Sequence, residues 1–268
     1  MKKWNIKNDS FYGYINACIE ASNDDIQFNN FKRNHNYTSI LEHQHIPKEY
    51  GDLIIQQIEY KYERDNIKSK IHKIKENDMY GNPILYNFEQ YGDISLGTLR
   101  YVKNSCDIVS HFGEVDIKTI VEIGGGYGGL CKTISNFIEF KSYYIYDLHQ
   151  VNLLSSKYLS KFNNYENIHI NTLDDGAKKF IDGEIDLLIS NYAFSELPKS
   201  IQLKYLSEIV LKSKRFYMIY NHLQSGDENG MTYNQFIDLI SDKYDVSIVD
   251  DIDTDLVKIL YGELKTNK

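Results

Sequence analysis

The stretch Thr119–Ile134, "TIVEIGGGYGGLCKTI", sets five glycines in the six positions 124–129. An apolar run leads into them and an amphipathic run leads out. Glycine loses more conformational freedom on folding than any other residue. A cluster between two regular elements therefore marks a backbone path closed to side chains, or a ligand pressed against the main chain. Gly124, Gly126 and Gly129 satisfy G-x-G-x-x-G, the pattern of a strand-to-helix turn whose amides receive a nucleotide.

Outward from this turn, strand and helix patterns alternate. Strands are predicted at 118–123, 142–148, 167–172, 185–190 and 215–220, with helices over 127–138, 151–162 and 200–214. A further helix, 232–244, opens with Thr232 and Gln235 at capping-box spacing. The last two strands, 245–251 and 256–262, are too close in sequence for a helical crossover. They must form a hairpin, which turns the final strand antiparallel. The expected fold is therefore α/β: a doubly wound, Rossmann-like sheet of seven strands with an antiparallel last strand.

The chain before this region reads differently. Residues 50–77 carry Leu53, Ile54, Ile58, Ile67, Ile71 and Ile74 at broadly helical spacing. "NDMYGNPILYN" (77–87) reads as a turn-rich loop, and "SLGTLRYVKNSCDIVSHF" (95–112) as a helix. Two regions are expected: a helical N-terminal acceptor or lid region at 1–113, and a ligand-binding domain at 114–268.

Composition narrows the classes. The 268 residues are 42% hydrophobic and 25% charged, ordinary for a globular chain. A net charge of −8 argues against a nucleic-acid partner. No apolar run has membrane-spanning length, and "MKKWNIKNDSFYGY" (1–14) has no signal-peptide core. Cys18, Cys106 and Cys131 are widely spaced, which fits reduced thiols in a cytoplasm. The many Tyr, Lys, Asn and Ile residues fit a bacterial genome rich in A and T. His43 and His45 in "EHQH" would share one face of a strand, but no cluster of Asp, Glu and His companions lies nearby, so no metal site is expected.

Two acids flank the glycine turn. Glu122 lies two residues before Gly124, where it would repel a pyrophosphate and attract a cationic ligand. Asp147 ends the second strand, where a carboxylate can accept from both ribose hydroxyls of an adenosine.

"VEIGGGYGG" resembles motif I, E-x-G-x-G-x-G, of class I S-adenosylmethionine-dependent methyltransferases, and "IYDL" resembles their acidic residue after strand 2. The strand count and final hairpin match their seven-stranded sheet. A narrower resemblance runs through "ILEHQH", "YGNPILYNFEQYGDISLGTLRYVKN", "VEIGGGYGGLCKTI", "YYIYDL" and "LLISNYAFSEL". In this order they look like bacterial sugar O-methyltransferases of capsule and lipopolysaccharide gene clusters. Leu96 and Gly97 stand where that family usually has Pro and Thr, and His149 where it often has Pro.

The resemblance implies S-adenosylmethionine as cofactor, held by Glu122, Gly124, Gly126, Tyr127, Gly128, Asp147, Leu148, Leu173, Asp174 and Asn191. Arg100 is expected to pair with the cofactor carboxylate or with a phosphate of an activated sugar. Tyr101, Asn82, Tyr192 and Asn221 are the expected substrate contacts. A sugar hydroxyl has a high pKa, so transfer to it benefits from a base; His222, Glu196 and His149 are the candidates. The partner is then a small, nucleotide-activated or surface-polysaccharide sugar, and a homodimer is compatible with this reading. The rival readings are a phosphate-type or other small-metabolite acceptor, an NAD-dependent nucleotide-sugar oxidoreductase, and a cofactor-binding subunit without turnover.

Overall fold

The computed structural model of the chain describes residues 9–41, 46–62, 64–113, 115–163, 165–173, 179–221, 230–252 and 257–266. They divide into two compact units. One gathers the described residues of 1–110, 126–137 and 149–165; the other gathers those of 111–125, 138–148 and 166–268.

In the first unit, helices α1 (Asp9–Asn23), α2 (Asp25–Asn30) and α3 (His35–Thr38) are separated by a 3-10 turn at Phe31–Arg33. Two of the starts are capped by side chains: Asp24 accepts from the Gln27 amide, and Asn34 from the Asn36 amide. Next come α4 (Lys48–Lys61) and α5 (Arg64–Lys75), where the sequence reading had one continuous helical pattern. The break has a phase origin. Ile58 and Ile67 are both buried, yet nine residues at 100° each place them on opposite faces of one straight helix. The chain resolves the conflict at Tyr62, which is extended (φ −142°, ψ 139°).

A hairpin follows, β1 (Leu85–Phe88) and β2 (Gly92–Ser95); β1 overlaps the end of the loop expected at 77–87, and β2 lies beyond it. Its strands have four residues each, too few to show a period. The unit continues with α6 (Leu96–Phe112), α7 (Gly129–Ile134) and α8 (His149–Leu159).

The second unit contains the sheet: β3 (Thr119–Ile123), β4 (Ser142–Tyr146), β5 (Ile168–Asn171), β6 (Leu187–Asn191), β7 (Arg215–Asn221), β8 (Tyr244–Asp250) and β9 (Val257–Leu264). The spatial order is β5-β4-β3-β6-β7-β9-β8. β9 is antiparallel to both β7 and β8, and the other pairings are parallel. This is the expected α/β sheet with its antiparallel last strand, and that strand lies inside the sheet.

Helices α9 (Ala193–Glu196), α10 (Lys199–Glu208) and α11 (Tyr233–Ile240) belong to the same unit. Alternate strand residues Val121, Ile123, Leu188, Phe216, Met218 and Leu260 form its core with Phe194, Leu206, Phe236 and Ile240. The expected capping box is present at α11, with Thr232 and Gln235 each bonding the other's backbone amide. Cys18, Cys106 and Cys131 are buried thiols, none of them in a disulfide. Among the described residues, no helix is long and apolar enough to cross a membrane.

Candidate functional site

Parallel pairing in the second unit sets Glu122 in register with Ile145 on β4 and Ile189 on β6. Two residues further on, Gly124, Asp147 and Asn191 come to one level at the strands' carboxyl ends. Because side chains alternate, Glu122, Asp147 and Asn191 share one face, opposite the Phe194–Phe236 core. Carboxyl ends of parallel strands are where α/β sheets bind ligands.

Glu122 is 2% exposed, and its Oε2 accepts from the Tyr143 hydroxyl at 2.8 Å. Burial pushes its pKa up to about 8; the Tyr143 hydrogen bond opposes the rise, and the Asp147 charge adds to it. At neutral pH the carboxyl is therefore largely protonated, and a cation placed beside it would draw the proton off.

Gly124 has φ +78°, and its amide donates to the Tyr146 carbonyl at 2.8 Å. A Cβ there would overlap the Ala193 methyl group. No other residue satisfies both the left-handed backbone and the lack of space. Ser190 ties the neighbouring elements together. Its Oγ donates to the Ile123 carbonyl at 3.0 Å and accepts from the Phe194 amide at 3.0 Å. At the next strand, Asp147 Oδ1 accepts from the Leu148 amide at 2.7 Å. Leu148 is 38% exposed. Leu173, partly buried against the core, accepts from Lys204 Nζ at 3.2 Å.

The end of β6 carries two irregularities. Asn191 Oδ1 is buried and has no hydrogen-bond partner among the described residues. Such an atom in a native site calls for a ligand or water. Tyr192 has φ +66° and ψ −41°, a strained backbone for a bulky residue. Its hydroxyl reaches Asp251 Oδ2 at 3.5 Å. The turn is held by Ser195 Oγ, which donates to the Tyr192 carbonyl at 2.6 Å and accepts from the Asn221 amide at 3.0 Å. Asn221 Nδ2 donates to Glu196 Oε1 at 3.3 Å. Desolvation raises the Glu196 pKa, but the residue as a whole is exposed, so the effect is weaker than at Glu122. Glu122, Asp147, Asn191, Tyr192, Glu196 and Asn221 thus lie at the carboxyl-end rim of one sheet.

The other expected residues that the structure describes lie in the first unit. Gly126 has φ +55° and lies under Leu41, whose Cδ1 is 3.0 Å from where a Cβ would be. Gly128, with φ +90°, faces the Leu159 side chain. Tyr127 is fully buried, so the backbone is what it can offer a ligand. Tyr101 meets the Tyr127 ring edge-on at 6.1 Å, and Arg100 is half-buried on α6. Asn82 (φ +55°) donates from Nδ2 to Asn30 Oδ1 at 3.1 Å, and its carbonyl accepts from Arg33 Nε at 2.7 Å. His149 is exposed at the start of α8. Asp174, His222, His43 and His45 lie outside the described residues. Among the described residues, no three His, Cys, Asp or Glu gather as a metal group.

Sequence reasoning did not single out Tyr143, Ser190, Ala193, Ser195, Asp251 or Leu41. Each matters through a partner distant in the chain, and no local pattern marks it.

No protein-family profile and no curated protein sequence matches the chain. Similar solved structures include a SAM-dependent methyltransferase from Aquifex aeolicus, at 16% identity and TM-score 0.47, covering 60% of this chain and 89% of that one. M. capricolum TrmK, solved in complex with S-adenosyl-homocysteine, is 18% identical with TM-score 0.42, covering 64% of this chain and 69% of that one. The mitomycin 7-O-methyltransferase MmcR is 14% identical with TM-score 0.46; the match covers 63% of this chain and 55% of that one.

Proposed function

We propose that the chain is an S-adenosylmethionine-dependent methyltransferase acting on a sugar hydroxyl, carried by a nucleotide-activated or surface-polysaccharide sugar. One observation carries the reading. The glycine turn leaves β3 level with Asp147 and Asn191, in a sheet whose antiparallel β9 lies between β7 and β8. A dinucleotide-binding sheet of order 3-2-1-4-5-6 has no such strand. The sugar acceptor rests on the motif resemblance.

The residues present suit the cofactor. Asp147 offers lone pairs to ribose hydroxyls. Asn191 Oδ1, buried without a partner among the described residues, offers an acceptor to an ammonium group. Glu122, once ionised, balances positive charge. Bound there, S-adenosylmethionine supplies a methyl group carried on a cationic sulfur. The chain's own work is alignment and exclusion of water. Glu196, which accepts from Asn221 Nδ2, takes the proton that the acceptor hydroxyl gives up; His222 and His149 are the alternative bases. Arg100 pairs with a carboxylate or phosphate, Tyr101 and Asn82 meet the substrate, and residues 1–113 act as the acceptor or lid region. The setting is a bacterial cytoplasm.

Calorimetry with S-adenosylhomocysteine and with NADH tests the cofactor. Binding of the first and not the second is expected; the reverse would overturn the reading. Labelled-methyl transfer to nucleotide sugars, sugar phosphates and small metabolites then tests the acceptor. Turnover only on a non-sugar would remove the sugar assignment and keep the chemistry.

A further inference from the structure

Within positions 124–129, Tyr127 is the one residue with a side chain. It is flanked by glycines with positive φ, Gly126 at +55° and Gly128 at +90°. A turn of this composition has little else by which the protein can hold its path. The Tyr127 ring is fully buried and folds back over Gly129, where a Cβ would overlap its hydroxyl.

What holds Tyr127 comes from distant parts of the first unit. Asn77 Nδ2 donates to Tyr127 Oη at 3.0 Å. Lys32 Nζ lies 4.3 Å from the ring centroid, and it donates to the Asn77 carbonyl at 2.9 Å. The Tyr158 ring meets Tyr127 edge-on at 4.8 Å. Both Lys32 and Asn77 are buried, at 1% and 0% exposure.

The orientation of the Asn77 amide follows from the hydrogen-bond order. Thr98 Oγ1 gives its proton to Asp78 Oδ1 at 2.7 Å. It can therefore only accept from Asn77, whose Nδ2 lies 2.6 Å away. The second Nδ2 hydrogen is left to point at Tyr127 Oη. On the other side, Asn77 Oδ1 accepts from Tyr158 Oη at 2.6 Å. Ser95 fixes the far end of the chain, donating to Asp78 from its amide at 2.9 Å and from Oγ at 2.6 Å. The amide thus supplies two donors and one acceptor, all in use. Aspartate has no donor to give, and leucine has neither.

We propose that Asn77 is a positioning residue for the glycine turn: by fixing the Tyr127 hydroxyl it sets the path of Gly126–Gly129, and with it the turn's affinity for the adenosyl ligand. This rests on the cofactor reading above. Asn77 touches no reacting atom; it acts through Tyr127.

The test compares wild type, Tyr127→Phe, Asn77→Asp and a core control, Ile54→Val, in calorimetric titrations with S-adenosylhomocysteine. All are measured well below their melting midpoints. Tyr127→Phe keeps the ring and removes only the hydroxyl. Both network variants should bind about tenfold more weakly, the scale of one lost buried hydrogen bond. The control should bind as wild type does. Amide hydrogen exchange across 124–129 should be faster in Tyr127→Phe, which keeps the proposal testable if Asn77→Asp does not fold. Wild-type affinity in Tyr127→Phe with a lowered melting point would assign the network to stability alone and overturn the proposal. A wild-type chain that binds no S-adenosylhomocysteine would instead overturn the cofactor reading on which it rests.

Discussion

The Tyr143 hydroxyl donates to Glu122 Oε2 across 2.8 Å between two neighbouring strands, and both side chains are buried. The native state therefore holds a carboxyl proton up to about pH 8, whereas the ordinary value is 4.5. Between these pH values the unfolded chain has released the proton and the native chain has not. The contribution of this group to stability is full below the lower value and is lost as pH rises through the higher one. Glu122→Gln keeps an acceptor for Tyr143 and carries no titrating proton. Its melting point relative to wild type should climb steadily from pH 5 to pH 8. A difference that does not change with pH would place the titration elsewhere.

On the proposed cofactor reading, the same carboxyl makes ligand binding release a proton. A cationic ammonium beside Glu122 favours the ionised form, so S-adenosylhomocysteine should bind more tightly as pH rises toward about 8. Calorimetry in buffers of different ionisation enthalpy should show proton release at pH 7. In Glu122→Gln the release should vanish.

Asp147 can be tested without disturbing its local turn. Asn at this position keeps an oxygen for the Leu148 amide and removes the charge. Asp147→Asn should weaken S-adenosylhomocysteine about tenfold or more, since hydrogen bonds to charged groups are worth ~1.5–3 kcal/mol. Titration of the variant checks this, and unchanged affinity removes the ribose role.

Gly124 and Ala193 form a pair suited to a double-mutant cycle. Gly124→Ala should destabilise through two separable effects, the left-handed backbone at ~1–2 kcal/mol and overlap with the Ala193 methyl at ~1–3 kcal/mol. Adding Ala193→Gly makes room and leaves the backbone cost. Denaturant unfolding should therefore recover only part of the loss. Additive losses would mean that the two residues do not press on each other.

Thr232→Ala tests the cap of α11 away from the rim. Loss of the side-chain acceptor for the Gln235 amide should cost about 1 kcal/mol in urea unfolding. A loss indistinguishable from zero would assign the start of the helix to packing by Phe236 and Ile240.

The features legible in the sequence were those written locally. The glycine turn, the Thr232–Gln235 box and the closing hairpin each depend on residues a few positions apart. So does the acid at each strand end, because parallel strands align their carboxyl ends whatever lies between. The helix break at Tyr62 was present as a phase shift between Ile58 and Ile67, and broadly helical spacing hid it. The Asn77 network could not be read in this way: its members stand at 32, 77, 98, 127 and 158. Asn77 stands at the start of the stretch read as a turn-rich loop, and Tyr127 among the residues expected to hold the cofactor. Only folding shows that each satisfies the other. Asn191 was marked by position alone; its unpartnered oxygen is a property of the packed site.

The placement of β9 also bears on how the sheet is assembled. β8 pairs with β9 and with no other described strand, and β7 has β9 on its outer side. Without β9, β7 has one open edge and β8 has two, because β8 has no other strand beside it among the described residues. The sheet is complete only when residues 257–264 lie between these two strands. Until then the two strands carry three unpaired edges, and exposed edges of this kind invite contact with other chains.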